Sequence, residues 1–259
     1  MGASADRPTL LRLDAFSAPH AFTTREGGVS VAPFNTLNLG ASVGDDVQAV
    51  DTNRARVLAA FGAHPDRVAF AHQVHGARVV TPAEAEDAGM GDVQADALVS
   101  DDPEWTLAIS MADCLPLLLH DPDGGAVAAV HAGWRGVVAG VVEVAVDALV
   151  QRYGASPERL RAAIGPHIHQ PAYQVGGEVV DAFREAGFPS DVAHVDAGQP
   201  DRYRLSVERA VRFALQRSGV PEAAVTSGGW CTAADEARFY SHRRDAGRTG
   251  RHWALVRAT

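Results

Sequence analysis

Three short segments place potentially reactive side chains within otherwise apolar parts of the sequence. Residues 71–76 contain His75, residues 110–119 contain Cys114, and residues 129–136 contain His131. In each segment the imidazole or thiol is at the predicted end of a strand, beside a glycine or proline that lets the chain turn. This pattern predicts a ligand-binding site at the edge of a sheet.

A turn signal separates the strands that contain Cys114 and His131. The sequence Asp121-Pro122-Asp123-Gly124-Gly125 is typical of a tight connection between antiparallel strands. If the turn is centred near residue 123, Cys114 and His131 lie almost opposite each other across a hairpin. The thiol and the imidazole could then approach a common point.

One cysteine and two histidines suit Zn²⁺, with a fourth coordination position open to water or substrate. Cu²⁺ is the chemical competitor, because such sites generally bind copper more tightly than zinc. Taken singly, each residue also has a structural interpretation, since a buried cysteine packs as a small apolar side chain. Residue types alone leave these interpretations open.

Other histidines fit a shared site less well. His72 precedes His75 by three residues, and on a strand this separation points the two side chains to opposite faces. His167 and His169 have same-face spacing but are also consistent with the lining of a loop. Although the chain has 11 histidines, only this pair has the His-x-His pattern, which argues against a true multicopper oxidase.

The pattern of apolar residues predicts an α+β fold, a single domain with a mixed β-sheet covered by helices. Asp45 or Asp46 is expected to cap a helix that ends at Phe61. A second helix is predicted over residues 137–153, buried against a sheet, and others over 178–186 and 206–218. Predicted strands are residues 67–74, 78–80, 95–100, 106–111, 115–120, 126–131, 160–165, 223–227 and 252–257.

The composition excludes several functional classes. The chain of 259 residues is 46% hydrophobic and has a formal net charge of −9. That charge would repel nucleic acids and anionic membranes. Since there is no apolar run typical of a signal peptide or a membrane span, Cys114 and Cys231 are expected to be reduced thiols. We therefore expect a cytoplasmic protein, and a monomer.

The sequence resembles the YfiH/laccase-domain family. The similar segments run in order from about residue 20 to the end, so residues 20–259 are expected to form the family domain and residues 1–19 an N-terminal extension. These segments are residues 23–30, 37–40, 43–46, 73–76, 95–99, 112–116, 131–136, 239–245 and 249–251. The resemblance implies a fold similar to that of a bacterial deamidating toxin with a Cys–His active site.

The resemblance implies that His75, Cys114 and His131 bind zinc. It also implies a purine nucleoside phosphorylase that converts adenosine or inosine and phosphate to the free base and ribose-1-phosphate. Adenosine deaminase and methylthioadenosine phosphorylase activities are implied on the same domain. Alternative functions are a copper-dependent polyphenol oxidoreductase, or laccase, and a Cys–His hydrolase or peptidoglycan editing factor with Cys114 as nucleophile and His131 as base. A non-catalytic, metal-stabilised scaffold is a further alternative.

Phosphorolysis requires a site for phosphate, which the planar guanidinium group of arginine suits. The segments that resemble the family contain four candidates: Arg25, Arg135, Arg244 and Arg251. Arg135, with glycines nearby, is the strongest of these. Asn38 and Asp113 are candidates to hold the purine or the ribose, and Asp113 could instead orient a metal ligand. Cys114, His131 and Asp113 are the candidate catalytic residues.

One position near the predicted site departs from the family pattern. After Ile164-Gly165-Pro166 the resemblance implies a cysteine, whereas this chain has His167. The replacement is expected to alter the metal or redox behaviour of this region.

Overall fold

The computed structural model describes residues 7–259, which form six α-helices and 14 β-strands. The helices are α1 (Val47–Phe61), α2 (Pro82–Asp87), α3 (Trp134–Val138), α4 (Val141–Tyr153), α5 (Gly177–Glu185) and α6 (Val207–Arg217). The strands are β1 (Leu10–Leu11), β2 (His20–Thr23), β3 (Val68–Ala69), β4 (Val79–Val80), β5 (Ala97–Ser100), β6 (Thr106–Met111), β7 (Leu115–His120), β8 (Val127–Ala132), β9 (Arg161–Ile164), β10 (Gln174–Gly176), β11 (Ala193–Asp196), β12 (Gln199–Leu205), β13 (Val225–Ser227) and β14 (His252–Arg257).

The strands form three sheets. A five-stranded sheet has the order β1-β2-β14-β6-β3, and a six-stranded sheet has the order β13-β9-β7-β8-β5-β4. Both sheets are mixed, because β3 runs parallel to β6, and β4 and β13 run parallel to their neighbours, whereas the remaining pairs are antiparallel. A small antiparallel sheet has the order β10-β12-β11.

The two large sheets pack face to face, and helices cover their outer faces. Alternate side chains along each strand point to opposite faces, so Leu118 of β7 packs with Ile109 of β6 and Ala254 of β14 between the sheets. Leu117 and its neighbours on the other face pack against α4 and α6. On the outer face of the five-stranded sheet, Leu255 packs with residues of α1. The layers therefore follow the order helix, sheet, sheet, helices.

The predicted α+β class with mixed sheets is confirmed, and several elements differ in detail. Asp46 caps α1 by accepting a hydrogen bond of 2.8 Å from the N–H of Ala49. The helix predicted over residues 137–153 is interrupted, because Gly140 adopts a left-handed conformation with φ of 86° between α3 and α4. As predicted, α4 is buried against a sheet.

Residues near the N-terminus also contribute to the fold. Strand β1 pairs antiparallel with β2, and Phe16 packs in the core between the two large sheets. Residues 1–6 of the predicted extension lie outside the described residues. The domain boundary at residue 20 stays a prediction.

Between residues 7 and 259, no helix combines the length and the apolar character that crossing a bilayer would require.

Candidate active site

The β7–β8 hairpin positions two of the three predicted ligands. The turn closes as predicted, with hydrogen bonds of 2.8 Å from Asp121 N to Ala126 O and from Gly125 N to Asp121 O. In the antiparallel register, Leu115 faces Ala132 and Pro116 faces His131. Cys114 therefore lies immediately beyond the last pair, at the same end of the hairpin as His131.

The third ligand, His75, lies in a loop that Asp96 holds in place. The Asp96 carboxylate accepts hydrogen bonds from the backbone N–H groups of Val74 at 3.1 Å, His75 at 2.9 Å and Gly76 at 2.7 Å. His75 has a φ of 61°, a conformation that costs a non-glycine residue free energy unless its surroundings fix it. The three bonds to Asp96 provide that constraint.

Gln73 fastens the same loop to the five-stranded sheet. Its side-chain amide donates to the carbonyl of Ser110 at 2.7 Å and accepts from the N–H of Ser110 at 2.7 Å. The side chain thus bonds to both backbone groups of a β6 residue, as a neighbouring strand would. The strand predicted over residues 67–74 is shorter, Val68–Ala69, and Gln73 contacts β6 through its side chain instead of its backbone.

The potential ligand atoms of His75, Cys114 and His131 lie within 4.8 Å of one another. Cys114 Sγ is 3.7 Å from His75 Nε2, and the two imidazole ring centres are 4.9 Å apart. Usual zinc bond lengths put tetrahedral nitrogen and sulfur ligands roughly 3.3–3.8 Å apart. The donor set and its spacing therefore fit Zn²⁺ after small side-chain movements, and the same donors suit Cu²⁺.

Gly133 leaves room for this cluster. A Cβ atom at residue 133 would lie 2.7 Å from His75 Cδ2 and 3.2 Å from Cys114 Sγ. Any other residue at this position would displace the potential ligands.

Asp96 also sets the protonation of His131. Its Oδ1 lies 2.9 Å from His131 Nδ1, and both side chains are buried. Because an ionised carboxylate only accepts hydrogen bonds, Nδ1 donates the proton. In the neutral imidazole, Nε2 then offers its lone pair to the cluster, as metal-bound histidines require.

The metal-free cluster also has the electrostatics of a thiolate–imidazolium pair. Burial opposes charge on both side chains, but their mutual attraction outweighs it. The histidines lower the pKa of Cys114 to about 6. The Cys114 thiolate and the Asp96 carboxylate raise the pKa of His131 to about 9.

Asp113, predicted to be catalytic or to bind substrate, holds the C-terminal segment against the hairpin. Its carboxylate accepts hydrogen bonds from Thr232 Oγ1 at 2.6 Å, Ser241 Oγ at 3.0 Å and Arg243 N at 2.6 Å. Its backbone φ is 85°, so three hydrogen bonds hold a strained residue next to Cys114. This geometry supports a positioning role.

The cluster lines a cavity of about 650 Å³. This volume is within the range of small-molecule sites. The aromatic side chains Phe70, Trp134, Tyr173 and Trp253 contribute to its wall. Four arginines also line it: Arg54, Arg135, Arg243 and Arg251.

The structure brings two of the four predicted phosphate-binding arginines to this cavity, Arg135 and Arg251. Arg135 is exposed and stacks on Trp134, with Cζ 4.5 Å from the ring centre. It makes no hydrogen bond or ion pair with any residue between 7 and 259, so its donors are available to a ligand. Arg251 uses Nη1 to bond the carbonyl groups of Thr249 and Gly250.

Arg25, Arg244 and Asn38 do not line the cavity. Arg25 donates to backbone carbonyls of Asn35 and Glu236, and Arg244 donates to Asp245 and to two backbone carbonyls. Asn38 is buried, and its Oδ1 accepts a hydrogen bond of 2.8 Å from the N–H of Arg251. These contacts hold the loops around the cavity together.

Sequence reasoning did not assign a site role to Asp96, Gln73 or Arg54. For Asp96 the sequence does offer a signal, an aspartate at the start of an apolar strand. Such a residue is expected to have hydrogen-bond or charged partners, because an unpaired buried carboxylate is costly. Arg54 carried no such signal: it lies on α1, and its Nε and Nη2 both donate to the Leu39 carbonyl. His72 lines the cavity but lies outside the ligand cluster.

The His-x-His pair lies behind the cavity wall. Ile168 faces the cavity, whereas His167 and His169 do not line it. Burial, together with the nearby His169, lowers the pKa of His167 to about 4.

Residues 19–259 match the family model described as multi-copper polyphenol oxidoreductase laccase. The chain belongs to this family, which confirms the resemblance noted from the sequence. It is 44% identical over 247 residues to a purine nucleoside phosphorylase of Deinococcus radiodurans, covering 95% of this chain and 92% of that protein. It is 38% identical over 234 residues to the purine nucleoside phosphorylase YfiH of Escherichia coli, covering 90% and 91% of the two chains.

Solved structures show the same fold. The crystal structure of YlmD from Geobacillus stearothermophilus superposes with a TM-score of 0.89 at 33% identity, covering 99% of both chains. That of the Neisseria meningitidis protein NMB0706 has a TM-score of 0.85 at 35% identity, covering 97% of this chain and 99% of the other.

Proposed function

We propose that this protein is a zinc-dependent purine nucleoside phosphorylase that converts adenosine or inosine and phosphate to the free base and ribose-1-phosphate. The observation that carries this proposal is a single cavity that combines the His75, Cys114 and His131 cluster with arginine and aromatic side chains. Relatives named purine nucleoside phosphorylases, with 38% to 45% identity, support the substrate class.

Arg135 and Arg251 are proposed to bind the phosphate. Guanidinium groups form paired hydrogen bonds with oxyanions, and Arg135 has its donors free of protein partners among residues 7–259. The stacking of Arg135 on Trp134 holds its guanidinium plane at the cavity wall. Phosphate bound there would lie in the same cavity as the nucleoside.

The aromatic residues of the cavity are proposed to bind the purine base by stacking. Tyr173 and Trp253 contribute to the wall. Each also has an arginine over its ring, Arg243 at 4.9 Å from the centre of Tyr173 and Arg54 at 5.2 Å from that of Trp253. These contacts fix the rings before substrate binds.

His75, Cys114 and His131 would hold the zinc ion, which would supply a Lewis acid at the cavity wall when bound. Asp96 orients the imidazole of His131 and fixes the loop of His75. The same cavity is proposed to support the adenosine deaminase and methylthioadenosine phosphorylase activities, since all these substrates share the purine and its ribose.

The test is to incubate the zinc-loaded protein with inosine or adenosine, with and without phosphate, and to identify the products. Hypoxanthine and ribose-1-phosphate that form from inosine only with phosphate are expected, and inosine formed from adenosine would demonstrate deamination. Unchanged nucleosides at stoichiometric protein and zinc would remove the proposal.

A second candidate function is cysteine-hydrolase chemistry. The arrangement of Cys114, His131 and Asp96 is that of a nucleophile, a base and a carboxylate that orients the base. In this function the metal-free protein would be the active form. An increase in hydrolase activity when a chelator removes zinc would favour the cysteine-hydrolase function over phosphorolysis.

A further inference from the structure

A second group of potential metal ligands lies outside the cavity, next to the wall residue Ile168. The group consists of His167, His169 and Glu208, whose ligand atoms lie within 4.8 Å of one another. His167 is buried, and the rings of His167 and His169 have centres 4.7 Å apart. Ile168 lines the cavity, whereas its two neighbours on the chain, His167 and His169, do not.

The hydrogen bonds of His167 leave a lone pair facing a carboxylate. Its Nδ1 lies 2.9 Å from the carbonyl oxygen of Gly165, which can only accept, so Nδ1 donates. In the neutral ring Nε2 is therefore unprotonated. That atom lies 3.5 Å from Oε2 of Glu208, which is also an acceptor. Two acceptors that face each other at this distance repel unless a proton or a metal ion lies between them, and burial of His167 opposes protonation of its ring.

His169 adds a third atom in need of a partner. Its Nε2 is shielded from solvent and has no hydrogen-bond partner among residues 7–259. Leaving a buried polar atom unpaired is energetically unfavourable. A metal ion would satisfy this nitrogen together with His167 and Glu208.

Arg212 accounts for only one oxygen of the carboxylate. Its Nε and Nη2 both bond to Oε1 of Glu208, at 3.0 Å and 2.9 Å, and its Nη1 bonds to Glu222 at 2.6 Å. Arg212 therefore fixes the orientation of Glu208 and leaves Oε2 directed at His167. A carboxylate held in this way is typical of a metal ligand with an outer hydrogen-bond partner.

We propose that His167, His169 and Glu208 form a second metal site, which binds a divalent transition-metal ion of the zinc type. Two imidazoles and one carboxylate form a well-known ligand set for Zn²⁺. The site is distinct from the cluster of Cys114, because Ile168 separates the two.

The second site would stabilise the first through the backbone. The N–H of Ile168 donates to the carbonyl of Asp113 at 3.0 Å, and the N–H of Thr232 donates to the carbonyl of His167 at 2.9 Å. A metal ion that fixes His167 and His169 would thus fix the segment bonded to the residue before Cys114. This predicts a structural role for the second ion.

The experiment measures zinc per chain by mass spectrometry after zinc loading and extensive dialysis. The full chain is expected to retain two zinc ions. The double variant His75→Gln, Cys114→Ser removes the first site and is expected to retain one. Adding His169→Gln or Glu208→Gln to that background is expected to abolish the remaining zinc.

Two control variants separate ligand loss from general damage. Glu222→Gln removes the other carboxylate partner of Arg212 and is expected to leave one zinc ion in the same background. His194→Gln replaces an exposed histidine and is also expected to have no effect. If either removed the zinc as fully as Glu208→Gln does, the assignment to these ligands would be wrong.

A measurement on the unchanged chain keeps the proposal testable if a variant misfolds. Anomalous diffraction from zinc-loaded crystals should show one peak at Cys114 and a second between His167 and Glu208. A single peak at Cys114, or a double variant that retains no zinc, would overturn the proposal. Neither readout depends on nucleoside turnover, so its failure is distinguishable from that of the proposed function.

Discussion

The Oδ1 atom of Asp96 lies 2.9 Å from Nδ1 of His131, where His131 has 5% of its side chain exposed and Asp96 none. The same oxygen accepts a hydrogen bond from the N–H of His75. One carboxylate therefore sets the tautomer of one potential ligand and the backbone position of another. The local geometry of the site depends on it.

Replacing Asp96 with asparagine should weaken zinc binding about 10- to 100-fold, as changes to residues that orient metal ligands commonly do. The amide cannot accept every hydrogen bond that the carboxylate accepts, and it removes the negative charge beside His131. Competition with a chelator of known affinity measures the effect. Asp101→Asn, an exposed change beyond the end of β5, is the control, and equal zinc affinity in the two variants would contradict this role.

Cys114 should be protected from iodoacetamide while zinc is bound and should react rapidly at pH 7 after a chelator removes the ion. In the metal-free protein the histidines outweigh burial and lower the pKa of Cys114 to about 6, so the thiolate predominates. Peptide mass spectrometry follows modification, with Cys231 as an internal reference. Equal labelling of Cys114 before and after chelation would show that zinc does not bind its sulfur.

Arg135→Gln should raise the KM for phosphate about tenfold or more with less effect on the KM for inosine. Hydrogen bonds to charged groups contribute about 1.5–3 kcal/mol, and the variant removes a guanidinium group that has no hydrogen-bond or ion-pair partner among residues 7–259. Steady-state kinetics in both substrates provides the measurement. The control is Arg248→Gln, an exposed change outside the cavity, which should leave both KM values unchanged. If Arg135→Gln does not change the KM for phosphate, Arg135 does not bind phosphate.

Acid should destabilise the protein partly through His252. Burial, with Arg25 nearby, lowers the pKa of His252 to about 3 in the folded state. The unfolded chain binds this proton below about pH 6.5. The contribution of His252 to the free energy of unfolding is therefore complete above that pH and is lost as pH falls toward about 3. Between these pH values the free energy of unfolding changes by up to ~1.4 kcal/mol per pH unit because of this group.

Urea unfolding between pH 4 and pH 7 tests this expectation. His252→Gln retains a possible acceptor for the N–H of Tyr240, which bonds to His252 Nε2 at 2.8 Å. The variant should show a shallower dependence of unfolding free energy on pH, whereas the exposed change His194→Gln should not. Identical slopes for wild type and His252→Gln would contradict the expectation.

The sequence predicted the part of the site that depends on local pattern. The turn at residues 121–125 determines the hairpin register, and that register places Cys114 and His131 at one end. The position of His75 depends on hydrogen bonds from a loop to Asp96, which is distant in sequence. No periodic pattern encodes such contacts. Residue type and position at a strand end made His75 a candidate ligand, and the family resemblance then implied that it binds zinc with Cys114 and His131.

The predicted phosphate ligands illustrate the same limit. Arg135 and Arg244 both lie in segments that resemble the family, but the guanidinium group of Arg244 is engaged with Asp245 and backbone carbonyls.

The small sheet of β10, β11 and β12 was not predicted as strands. Several residues of β12 are exposed, and such a strand lacks the alternation of apolar and polar residues that predicts one.

The most direct test of the central claim is the initial rate of inosine phosphorolysis by the zinc-loaded Cys114→Ser variant, with Cys231→Ser as the matched control. Ribose-1-phosphate formation should be lost in Cys114→Ser and retained in Cys231→Ser. A chelator should abolish the wild-type rate, and added zinc should restore it. Phosphorolysis by Cys114→Ser at the wild-type rate would contradict the assignment of the reaction to this cluster.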